Sequence, residues 1–223
     1  MFKVYISPSE QEHNIYAFGG YTEEEICHSI GNLVQIALYR CGIESKKAPY
    51  GQHMEESIAE SNAYNPDVHL CIHTNAAGGK ARGCVVFVSK LDDARLKYAQ
   101  PIYNALHELV GGTDFGVRTA GFAEIRQTTG TCVYCECEFH DNTARAEWIV
   151  NHMMDIAEAL AKGICEGAGI AYVPKKHYYD EFADARSAAM DKDVMRGNGK
   201  DDYWTTAPTR QELAVILLRA GVI

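Results

Sequence analysis

No window of this chain approaches the roughly 18 consecutive apolar residues of a membrane span, and no membrane partner is expected. Basic residues are also in short supply. Against 30 Asp and Glu there are 21 Lys and Arg, a formal net charge of -9. A nucleic-acid binder needs a basic face to neutralise phosphates, so that class is excluded as well. The opening MFKVYISPSE lacks the charged start, the roughly 7–15-residue apolar stretch and the small-residue cleavage site of a secretory signal. The expectation is synthesis in the cytoplasm and, for any action outside, release by another route. The eight cysteines do not fall into a disulfide framework: they are scattered, mostly within apolar segments, and read as reduced, buried thiols.

What the chain does contain is 223 residues, 47% of them hydrophobic, enough for one well-buried domain with a small appendage. Strand-like and helix-like segments alternate. Residues 2–6, 67–73, 83–89 and 132–139 read as strands. Residues 23–41, 92–110 and 143–165 carry apolar side chains at helical spacing. The pattern predicts an α/β fold with a largely parallel sheet. It breaks near residue 170. Residues 171–181 read as a linker, and residues 182–223 show a separate helix-turn-helix pattern, a small helical C-terminal appendage. Residues 174–223 hold 8 of the 21 basic and 8 of the 30 acidic residues, so the whole of the -9 falls on the residues before them.

Several side chains in residues 1–170 suit metal-assisted hydrolysis. Such sites use about three protein ligands and an open position for water, with a carboxylate nearby to move the proton. His73 ends a strand and precedes the turn-forming Thr74-Asn75-Ala76-Ala77-Gly78-Gly79. His69 shares its strand face, but four residues at roughly 3.3 Å each place it about 13 Å away, too far to share a metal with His73. His13 lies in a loop. Glu25 closes a Thr-x-x-Glu capping box with Thr22, and spacing alone favours the cap. Glu136 and Glu138 alternate with cysteines on an apolar strand, either at a solvent edge or looking into a site. Cys132-x-x-Cys135-x-Cys137 superficially resembles a thiolate site, but no second cysteine pair accompanies it.

Taken in order, SPSEQEHN (7–14), TEEEICHSIG (22–31), LCIHTNA (70–76) and CECEFHDN (135–142) resemble the zinc-dependent N-acetylmuramoyl-L-alanine amidases of the type-3 fold, most of all phage endolysins. The resemblance spans nearly all of residues 1–170 and implies that the central sheet is mixed and flanked by helices. It implies one catalytic Zn2+ held by His13, Glu25 and His73, with Glu136 as the catalytic base. The implied substrate is peptidoglycan, cut between N-acetylmuramic acid and L-alanine. Asn75, Arg126 and Glu138 are candidate substrate contacts. The chain departs from the family at Glu12-His13-Asn14, where many relatives have Gly-His-Gly-Gly, and at Glu138, where many have glycine.

Residues 182–223 resemble a single surface-layer-homology motif, with Thr209-Arg210-Gln211-Glu212-Leu213-Ala214 its most recognisable element. That implies a secondary wall polymer as ligand, contacted by Arg210 and Trp204. A single copy suggests docking on the catalytic domain or assembly of tails from several chains, a possible homo-oligomer. The resulting expectation is a phage endolysin acting on a Gram-positive wall after holin-mediated release. The alternatives are a bacterial autolysin or sporulation amidase, a zinc peptidase of the stem peptide, or an inactive wall-binding protein.

Overall fold

The computed structural model describes residues 1–175. The appendage at 182–223, with Trp204 and Arg210, and most of the expected linker lie outside the described residues. Met1–Pro174 forms one compact unit.

Six strands and six helices follow in the order β1 (Lys3–Pro8), α1 (Glu23–Arg40), β2 (Glu44–Lys47), α2 (Met54–Tyr64), β3 (Val68–Asn75), β4 (Val85–Val88), α3 (Asp93–Val110), β5 (Val117–Thr119), α4 (Ala123–Gln127), β6 (Thr131–Phe139), α5 (Thr143–Asn151) and α6 (Met153–Ala168). The sheet order is β2-β1-β3-β6-β4-β5. Every pairing is parallel except β4 with β6. This is the largely parallel sheet that the alternating pattern predicts, and the mixed one that the family resemblance implies. Among the described residues no helix is long and apolar enough to cross a membrane.

The two faces of the sheet are covered differently. Val4, Ile6, Leu70, Ile72, Val133 and Cys135 point into the main core, with Ile30, Val34, Ile102, Leu106, Leu160 and Ile164 of α1, α3 and α6. Burial of those aliphatic side chains contributes about 1.5–3 kcal/mol each. The other face carries Tyr5, His69, Cys71, Cys132 and Tyr134, under α2 and the short α4. Of α2 only Ser57, Ile58 and Ser61 are buried. Hydrogen bonds largely replace apolar packing there.

Helices α3 and α6 approach closely because Gly163 and Gly167 face α3. A Cβ on Gly163 would sit 2.4 Å from the Cα of Ile102, and one on Gly167 would sit 2.6 Å from the carbonyl oxygen of Lys97. The expected single helix over 143–165 is two: α5 ends at Asn151 and α6 starts at Met153, with His152 between them at φ -123°. Two strands, β2 and β5, and the helices α2 and α4 carry no clear apolar periodicity and were not predicted.

Candidate active site

The site builds on two neighbouring strands. His73 of β3 is in register with Glu136 of β6, so the two side chains leave the same face at the same height. His73 is 6% exposed, and its ring stacks on Tyr134 with centroids 4.4 Å apart. Its Nδ1 lies 3.0 Å from Oε1 of Glu23. Glu23 is the first residue of α1 and only 1% exposed. It also accepts the Thr74 N–H at 3.2 Å and, through Oε2, the Asn14 side-chain N–H at 2.8 Å. Gln11 Nε2 lies 3.5 Å from the same Nδ1 of His73.

Electrostatics divide these carboxylates into two kinds. Burial would raise the pKa of Glu23, but the His73 hydrogen bond and charge overcome it and hold the group below its ordinary value. Burial would lower that of His73, yet Glu23, Glu136 and Glu124 raise it. Glu136 has no such compensation. Desolvation is the largest influence, His73 opposes it, Glu23 adds to it, and the carboxyl is pushed up to about 7. Its Oε2 is buried without a hydrogen-bond partner. A carboxyl poised near neutrality beside an imidazole, with one oxygen uncommitted, is equipped to take and return a proton.

A second buried group continues along the same face. Glu124 of α4 accepts the Ser7 hydroxyl at 2.5 Å and lies 3.1 Å from Nε2 of His69 through Oε1, while its Oε2 is 3.9 Å from Nε2 of His73. His69 Nδ1 is 2.8 Å from Ser61 Oγ. The expectation that His69 and His73 share a strand face holds, and Glu124 spans the gap between them. A pocket of about 270 Å³ opens beside this group, lined by Glu10, Gln11, Met54, His73, Phe122 and Tyr134 among others.

The structure brings together His73 and Glu136 but not the rest of the expected zinc set. The side chain of His13 is 92% exposed and faces Glu12. Glu25 spends its carboxylate on the Thr22 N–H at 2.8 Å, while the Thr22 hydroxyl accepts the Glu25 N–H. Among the described residues, the one group of His, Cys, Asp and Glu spaced for a metal is His69, Cys71 and Cys132, which contains none of His13, Glu23, Glu25 and His73. At the start of α1 it is Glu23 that turns to His73, while the capping box holds Glu25 over the helix end.

Glu138 is also relocated. The β3–β6 ladder slips between His73 and Asn75. Glu138 is fully buried, accepts the Gly83 and Phe139 N–H groups and pairs with Arg145 at 2.7 Å. A carboxylate so committed has no capacity left for substrate. Asn75 accepts the Ala76 N–H through its side chain, and Arg126 is exposed on α4. Glu23, Glu124, Gln11 and Asn14 were not anticipated, and only the acidic first turn of α1 signalled any of them.

Residues 4–166 match the family described as Amidase_3, N-acetylmuramoyl-L-alanine amidase. The chain belongs to this family of peptidoglycan amidases. Solved structures agree with the fold. An amidase of Clostridium difficile 630 superposes with a TM-score of 0.70 at 18% identity, covering 75% of this chain and 97% of that one. AmiC2 of Nostoc punctiforme gives 0.68 at 18% identity, again over 75% and 97%. The catalytic domain of the CD27L endolysin targeting Clostridia difficile gives 0.63 at 18%, over 74% and 97%. No curated protein matches the chain.

Proposed function

We propose that this amidase hydrolyses the amide between N-acetylmuramic acid and L-alanine with Glu136 as general base and a zinc ion held beside it by Glu23 and His73. The observation that carries the reading is Glu136 itself: buried, in register with His73, with one oxygen unpartnered and its carboxyl pushed up to about 7 by desolvation.

The donors present suit the metal. Zinc bonds of about 2.0–2.1 Å to nitrogen and oxygen give a tetrahedral edge of about 3.4 Å, and Glu23 Oε1 and His73 Nδ1 are 3.0 Å apart, close to that edge. Gln11 stands on the same side with its Nε2 towards His73 and its oxygen accepting from Asn14, so it borders the pair without replacing the third ligand expected at His13. Bound zinc would polarise the scissile carbonyl and acidify a water. The protein's own groups supply the remainder. Glu136 takes the proton of the attacking water and delivers it to the leaving amine. Asn14 and the Thr74 N–H fix the Glu23 carboxylate, and Tyr134 fixes the plane of His73. Phe122 and Met54 give the pocket an apolar wall against which a sugar or peptide can lie.

The motif resemblance supports action as a phage endolysin, and the surface-layer-homology-like residues 182–223 support anchoring to a wall polymer through Arg210 and Trp204.

Digestion of purified Gram-positive peptidoglycan by wild type and Glu136→Ala, with zinc measured on both, tests the reaction. Wild type should release new L-alanine amino termini and leave glycan strands intact. The variant should keep its zinc and lose about 10²–10⁴-fold in rate. New ends within the stem peptide would make the protein a peptidase instead.

A further inference from the structure

The face that carries His73 holds a second set of metal-ligating side chains, deeper in the fold. His69 and Cys71 are two residues apart on β3 and so share a face, and Cys132 of β6 is in register with His69. One ligand atom from each lies within 4.8 Å of the other two. His69 and Cys71 are fully buried and Cys132 is 6% exposed. We propose that His69, Cys71 and Cys132 form a closed binding site for a soft divalent cation, zinc foremost, separate from the open site at His73, with Glu124 beside His69.

The distances suit that occupant. Zn–S bonds of about 2.3 Å give a tetrahedral S···S edge of about 3.8 Å, and the Cys71 and Cys132 sulfurs are 3.6 Å apart. Oε1 of Glu124 is 3.1 Å from His69 Nε2, near the N···O edge of about 3.4 Å. The remaining ring nitrogen of His69 is already held by Ser61, the outer-shell bond that orients a metal-binding histidine. Two strand residues on one face and a third on the adjacent strand converge without any loop having to move.

Charge and composition agree with the geometry. Two thiolates and a neutral imidazole offset a divalent cation, and the adjacent Glu124 carboxylate adds one negative charge, to which the Ser7 hydroxyl donates. Two soft sulfurs select zinc over magnesium or calcium, which prefer oxygen. Each thiol releases its proton to solvent as its bond to the metal forms. The site is closed to solvent, which makes it structural: it ties β3 to β6 directly below His73 and Glu136.

The test uses the full chain loaded with zinc, and separately with cobalt(II). Wild type should hold about two zinc ions per chain and the Cys71→Ala/Cys132→Ala variant about one. Cobalt-loaded wild type should show the near-ultraviolet sulfur-to-cobalt charge-transfer band, lost in the double variant and kept in His73→Ala. A cobalt-loaded wild type without that band overturns the proposal, as does a double variant that keeps all the zinc. If the double variant does not fold, the wild-type cobalt spectrum and the single Cys132→Ser variant decide. The band needs sulfur ligation, so it is independent of zinc at His73, and either site can fail without the other.

Discussion

Glu25 and Glu23 stand two residues apart in one helical turn and do different work. The first caps its own helix, and the second crosses to a strand 50 residues away in sequence. Local spacing supported the cap at Glu25, and that local reading is what the coordinates show. The family resemblance pointed elsewhere because it fixes which helix contributes a ligand more firmly than which residue of its first turn. Glu23→Ala should therefore lose bound zinc, whereas His13→Ala should keep wild-type zinc content and rate; metal analysis and digestion assays check both. Glu124 was illegible for a different reason. Its partners Ser7, His69 and His73 come from remote segments, and a five-residue helix carries no periodicity. At Glu136, the folded pKa of about 7 lies above the ordinary 4.5, so the folded state holds this proton more tightly than the unfolded chain. Its ionisation thus opposes folding from about pH 4.5 upwards, in full above about pH 7. Metal-free Glu136→Gln should be more stable than metal-free wild type by about 3 kcal/mol at pH 8, an advantage that disappears by pH 4. Denaturant titrations at the two pH values would show it.

The elements legible in advance were those with many apolar side chains: strands β1, β3, β4 and β6 and helices α1 and α3. Strand β2 is Glu-Ser-Lys-Lys, an edge strand whose exposed charges conceal it, and β5 has three residues. The division between α5 and α6 was hidden because apolar residues continue across it, while His152 leaves helical geometry and stacks its ring on Trp148. The close pairing of α3 and α6 rests on two glycines in a strong helical pattern, where propensity alone would prefer alanine. Gly163→Ala places a methyl 2.4 Å from backbone of α3. Since backbone cannot swing aside as a side chain can, the variant should lose about 1–3 kcal/mol. A lowered melting temperature with unchanged zinc content would confirm that the effect is packing and not chemistry.

At the scale of the whole molecule, the net charge of -9 falls on the residues before 174, and intact walls rich in anionic polymer repel it. Added salt should speed digestion of intact walls by screening that repulsion and leave hydrolysis of soluble muropeptides nearly unchanged. A chain ending at residue 174 should cleave soluble muropeptides at the full-length rate and intact walls more slowly; parallel assays on the two substrates separate these effects. The unequal covering of the sheet has a kinetic meaning too. One face lies under three amphipathic helices and the other under α2 and α4, which bury little apolar surface. Opening free energy follows buried apolar contact, so the thin side should breathe while the thick side stays shut. A thiol reagent added to native, metal-free protein should mark Cys71 and Cys132 before the thiols of the opposite face, at a rate set by excursions of α2 and α4. Cys27, Cys135 and Cys137 should wait for the whole domain to unfold.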